Sequence, residues 1–167
     1  MPNAAISAFA EWIASTPLSF LIASHLWIIP TLQSIHYMAL AILFSSAALI
    51  DLRMLGLVGK QQSLSRIARR FVPGIWFALV VMTVTGLLLL IAEPARSLTT
   101  WEFQSKMVML VVVVLLTLTM QRLIAERAPS WDTAPALPAV ARVAAIGSML
   151  LWMLIIVAGR WIAYHAG

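Results

Sequence analysis

With 167 residues, 62% of them apolar and only 10% charged, the chain lies far from the composition of a soluble domain, of which about a quarter is charged. One integral membrane domain is expected, because each helix of about 20 residues needed to cross ~30 Å of hydrocarbon takes a large share of the length. The absence of cysteine excludes disulfides, zinc–thiolate centres and cysteine-held iron–sulfur clusters, which leaves histidine, methionine or carboxylate for any metal.

The net charge of +5 would suggest nucleic acid in a soluble domain. Here the basic residues sit in short connections between apolar runs, so the charge reads as membrane topology and no nucleic-acid partner is expected. No glycine-rich nucleotide loop is present. The first basic residue is Arg53, and without a basic n-region the N-terminus does not read as a cleavable signal.

In chain order, the segment AAISAFAEWIAS places Ile6, Phe9 and Ile13 on one face and predicts an interfacial amphipathic helix with Trp12 near the headgroups. The next apolar stretch, held between Pro17 and Pro30, is too short to cross alone and is expected to be a half-helix. These make an N-terminal segment, residues 1–30. Residues 31–167 form the bundle, with spans at about 31–55, 73–92, 103–125 and 140–164. Pro73 is placed in the first turn of the second span, and APSWDTAPALP is the linker before the fourth. The fold class is therefore all-α, a four-transmembrane-helix bundle preceded by an interfacial helix and a half-helix.

Eight of the eleven basic residues, Arg53, Lys60, Arg66, Arg69, Arg70, Arg122, Arg127 and Arg142, fall at the first and third connections. Those connections are expected in the cytoplasm. In a bacterial inner membrane both termini, with Arg96, Lys106 and Arg160, then face the periplasm.

That topology separates two groups on the first span. His36 lies at its outer end and Asp51 and Arg53 at its inner end, with roughly 22 Å of helical rise from His36 to Asp51. The inner pair is expected to be structural: Arg53 anchors to headgroups and Asp51 pairs with Arg66 or Arg70. At the outer end all three histidines, His25, His36 and His165, converge with Lys106, Arg160 and Tyr164. Haem b needs imidazole ligands, apolar walls and a cation for its propionates. In that reading His36 is one axial ligand, His165 or His25 the other, and Arg160, Lys106 or Arg96 meets a propionate, with Met107 or Met109 as a thioether alternative. The same histidines with methionines suit copper. The structural alternative is a His36 that only bonds a neighbouring helix, with no cofactor at all.

Gly86, Gly147 and Gly159 let helices approach closely, while Thr83, Thr85, Thr117 and Thr119 can hydrogen-bond within or between them. Trp76, Trp101 and Trp161 read as an interfacial belt. The second and third spans carry no acidic residue in their cores, which argues against a carboxylate-based proton pump.

The stretch IHYMALAILFSSAALIDLRMLGL, with WEFQSK at the third span and GRWIAY at the end of the fourth, resembles a family of uncharacterised bacterial four-helix membrane proteins. Their pattern is His…Asp-Leu-Arg-x-Leu-Gly, Phe-x-x-Lys and Gly-Arg-x-Ile-Ala-Tyr. The resemblance covers residues 31–164 and falls on His36, Asp51, Arg53, Phe103, Lys106, Gly159, Arg160 and Tyr164. More distantly the chain resembles copper-resistance D proteins and b-type cytochrome bundles, whereas His25 and His165 lie outside the pattern. The implied function is a haem b redox protein or quinone-interacting electron-transfer subunit. The alternatives are a copper-handling protein and a non-catalytic subunit of a homo-oligomer or larger membrane complex. Cations beside the histidines count against copper, since they have no task there.

Overall fold

A computed structural model describes residues 4–59, 61–133 and 137–161. Its elements are α1 (Ala4–Ala14), α2 (Pro17–Ser24), α3 (Ile28–Met54), α4 (Leu64–Ala92), α5 (Pro94–Leu98), α6 (Trp101–Thr133) and α7 (Ala139–Trp161). Four of them, α3, α4, α6 and α7, are long and apolar enough to cross a membrane. The fold is an all-α four-helix bundle.

The bundle is a ring. Helix α3 packs on α4, α4 on α6, α6 on α7 and α7 back on α3, so α3 faces α6 across the axis. The core runs along that axis through Leu43, Ile50, Ile75, Ala78, Val113, Ala145, Trp152 and Ile155. Phe77, Val80, Val84, Val108, Val111 and Leu115 point outward, where lipid replaces the water that would penalise them. At one end, here the upper end, α1 packs on α5, and α2 leans on α4 and α3. The lower end carries the α3–α4 and α6–α7 connections.

Helix boundaries differ from the expected spans for local reasons. The half-helix ends at Ser24, and α3 starts at Ile28 because Pro30 lies within its first turn, where a missing N–H breaks no intrahelical bond. Helix α4 begins at Leu64 rather than at Pro73, which lies inside it. Ser63 caps this start by accepting a bond from the Arg66 N–H. Asp132, near the end of α6, accepts from the Leu64 N–H at 2.6 Å and from the Ser65 hydroxyl at 2.9 Å. One carboxylate thus satisfies an orphan donor of α4 from another helix. That role explains why α6 runs on to Thr133, through the stretch read as linker.

Helix α3 closes on Gly56 at φ +73°. The Gly56 N–H bonds the Arg53 carbonyl and the Leu57 N–H the Leu52 carbonyl, a Schellman closure that needs a left-handed residue at this point. In the N-terminal segment α1 buries Ala10 and Ile13, and Phe9 and Trp12 stack at 5.8 Å on its exposed face. Helices α1 and α2 meet at 71°.

Candidate functional site

Two polar sites occupy opposite ends of the ring. The upper one is built on His36 of α3, half-buried against α4. Thr85, one turn beyond Val81, donates its hydroxyl proton to the Val81 carbonyl at 2.8 Å. Having spent its only proton, its Oγ1 accepts from His36 Nδ1, also at 2.8 Å. With the Thr85 proton on the Val81 carbonyl, this bond assigns His36 the Nδ1–H tautomer and leaves the lone pair on Nε2. Gly86 leaves room for the ring: a Cβ there would touch His36 Cε1 at 3.5 Å.

Lys106 of α6 completes the group. Its ammonium lies over Gly159 of α7, where a Cβ would stand 3.3 Å from Nζ, and it acts electrostatically on His36. Lys106 has no ion pair or hydrogen bond among the described residues. A free imidazole lone pair and an unpaired ammonium, in a region lined by lipid-facing helices, can together ligate a metal-bearing macrocycle and neutralise its acid groups. They can equally donate and accept at a carbonyl-bearing ligand.

The other members expected at this end are placed less closely. His25 caps α2 on the surface, its Nδ1 bonded to the Leu21 carbonyl at 2.9 Å and to Ser24 Oγ at 3.2 Å. Arg160 is exposed in the last turn of α7. Arg96 is paired with Glu93 at 2.8 Å. Tyr164 and His165 lie outside the described residues. Among the described residues no three histidine, aspartate or glutamate side chains come together as a metal site.

The lower site centres on Asp51. It is only 7% exposed, and the expected ion pair with Arg66 or Arg70 is not formed. Its side chain bonds Ser148 of α7 instead, and its Oδ2 has no partner. The reason is helical register: Asp51 lies on the same face as Ala47 and Met54, which are buried in the core. Arg53 points the other way and donates from Nε to the Gln62 carbonyl at 3.0 Å, fastening the α3–α4 loop. The two residues read as one charge site are two independent devices.

Asp51 lines a small cavity of about 30 Å³ bordered by all four long helices, with Ser148, Thr117 and Gln121 as its other polar residues. Gln121 of α6 accepts a hydrogen bond at Oε1 from Trp76 Nε1 at 3.2 Å. Since indole nitrogen is only a donor, this fixes the amide's orientation and turns Nε2 away from Trp76. Nε2 is buried and unpartnered. A second cavity shares Ile75 and Thr117 with the first and is lined by Trp152, whose buried Nε1 is also unpartnered. The sequence reading missed Gln121, Trp152 and the polar role of Ser148, which with Gly147 read only as helix packing. A glutamine inside the third apolar span was the available signal.

A family profile matches residues 9–165, nearly the full length, upper and lower sites included. The chain belongs to the DUF6644 family. That family is one of unknown function, so membership carries no activity to this DUF6644 protein, whose sites must be read from their own chemistry. No curated protein and no solved structure matches the chain.

Proposed function

We propose that this DUF6644 protein is a redox protein of a bacterial inner membrane that holds haem b at its upper end. The observation that carries this reading is the bond from His36 Nδ1 to Thr85 Oγ1. Metal-ligating histidines characteristically donate their second ring nitrogen to a fixed acceptor, which orients the ring and sharpens the ligating lone pair. The residues present suit the group in three respects: His36 would hold the iron through Nε2, Gly86 makes room for the His36 ring, and Lys106 would supply a cation for an acidic side group. His25, whose hydrogen bonds among the described residues are at Nδ1, or His165 would supply a second nitrogen, and Arg160 a further cation.

Bound there, haem supplies one-electron chemistry, and a membrane quinone is the partner its depth in the lipid favours. The chain's own part is to hold the imidazole in one tautomer, shield the site with α3, α4, α6 and α7, and set its potential through the Lys106 charge. Copper is the weaker reading, because Lys106 repels a cation at His36.

The distribution of basic residues orients the molecule, with the lower connections cytoplasmic and both termini periplasmic. Reporter fusions after Arg70 and after residue 135 test this and should be cytoplasmic, with one after Leu98 periplasmic; the reverse pattern would invert the assignment. The cofactor is tested by a reduced-minus-oxidised spectrum of protein made with ample haem. A sharp visible band is expected, with its second ligand identified by substituting His25 and His165 separately. A colourless, haem-free preparation would refute it.

A further inference from the structure

The lower cavity has no part in the haem reading, yet it gathers buried polar atoms without a partner among the described residues. Asp51 Oδ2, an acceptor, and Gln121 Nε2, a donor, both lie in its walls without a partner. Leaving either bare in a membrane interior is costly, more so for a charged group. Two such atoms in one cavity are the mark of an absent third party rather than of packing error.

The chemistry of the walls restricts what that party is. It must accept from an N–H at Gln121 and donate to a carboxyl oxygen at Asp51. A metal cation satisfies Asp51, but at Gln121 it would meet an amide N–H₂, because Trp76 holds the amide oxygen elsewhere. An anion satisfies Gln121 and is repelled by Asp51. A hydroxyl oxygen does both, and the free space suits roughly two water molecules. The Ser148 and Thr117 hydroxyls give further contacts on α7 and α6.

We propose that the central cavity of the lower half is a water-binding site, in which bound water bridges Asp51 to Gln121. The remaining wall, Ile50, Met54, Val72, Ile75, Leu116 and Met120, is apolar and confines the water to the polar atoms. Met54 is the useful reporter, because it lines the cavity although only 2% exposed, whereas Met82, also buried at 8%, lies outside it.

X-ray radiolysis of the full-length protein in lipid nanodiscs generates hydroxyl radicals wherever water is bound. Methionine oxidation is then read by mass spectrometry. Met54 and Met120 are expected to be oxidised rapidly and Met82 slowly. Gln121→Leu and Asp51→Leu, each first shown to be folded by circular dichroism and gel filtration, should lower Met54 oxidation to the Met82 level. Because Gln121→Leu removes no charge, it stands as the informative variant if Asp51→Leu does not fold. The proposal is overturned if Met54 in the wild type is as protected as Met82. It is also overturned if Met54 oxidation survives both substitutions, since bulk water at the helix end would then be the source. A hydroxyl-bearing lipid recovered stoichiometrically by solvent extraction, with Met54 protected, would replace water as the occupant and likewise overturn it.

Discussion

The upper and lower sites are built from similar materials and solve opposite problems. At the upper end a polar side chain is satisfied on one side only: His36 spends Nδ1 on Thr85 and keeps Nε2 free, while Gly86 and Gly159 clear space beside the His36 ring and the Lys106 ammonium. At the lower end Asp51 and Gln121 are each half satisfied, by Ser148 and by Trp76, and both line one cavity. In the proposed reading the upper arrangement presents groups to a wide ligand, and the lower one holds a small one. The lesson is that an ionisable residue in a span is understood from what its second polar atom faces, more than from its position along the helix.

The first way to break this comparison is to fill the upper space. Gly86→Leu should push the His36 ring off Thr85 and abolish cofactor absorbance while the four helices persist by circular dichroism; full absorbance would mean that the ring does not need that space. A smaller effect is expected from Thr85→Val, which keeps the shape and removes the acceptor. Loss of such an orienting partner typically costs 10–100-fold in affinity, so the haem should dissociate faster, and an unchanged off-rate would show that Thr85 does not orient the ligand. Next is Asp132→Ala, which withdraws two hydrogen bonds from the start of α4. It should lower stability by about 1–3 kcal/mol in chemical denaturation and leave the upper spectrum alone; no loss of stability would remove the inter-helix cap from the account.

Much of this was readable in the sequence, and the exceptions are instructive. Span number and the grouping of His36 with Lys106 follow from hydropathy and charge counting, because lipid forces helices and short loops force antiparallel neighbours. Helix ends were not readable in the same way. Pro73 and the proline-bearing segment before α7 look like breaks, yet Ser63 and Asp132 carry the helices through or toward them by capping from outside. Asp51 was assigned a basic partner because arginines are its sequence neighbours. Register instead turns it inward and sends Arg53 to Gln62, a distinction of about 160° around the helix (two residues at 100° each) that only packing on α7 resolves. Gln121 escaped notice because its importance comes from Trp76, 45 positions earlier in the chain.

The central claim is that the two sites are separate and that His36, not Asp51, holds the cofactor. The most direct measurement is the visible spectrum and bound-haem content of wild type, His36→Ala and Asp51→Asn, purified side by side from haem-replete cells. The account predicts that His36→Ala is folded and colourless, whereas Asp51→Asn keeps the wild-type band, because roughly 22 Å of helix lies between the two residues. An unchanged spectrum in His36→Ala, or loss of the band in folded Asp51→Asn, would contradict it.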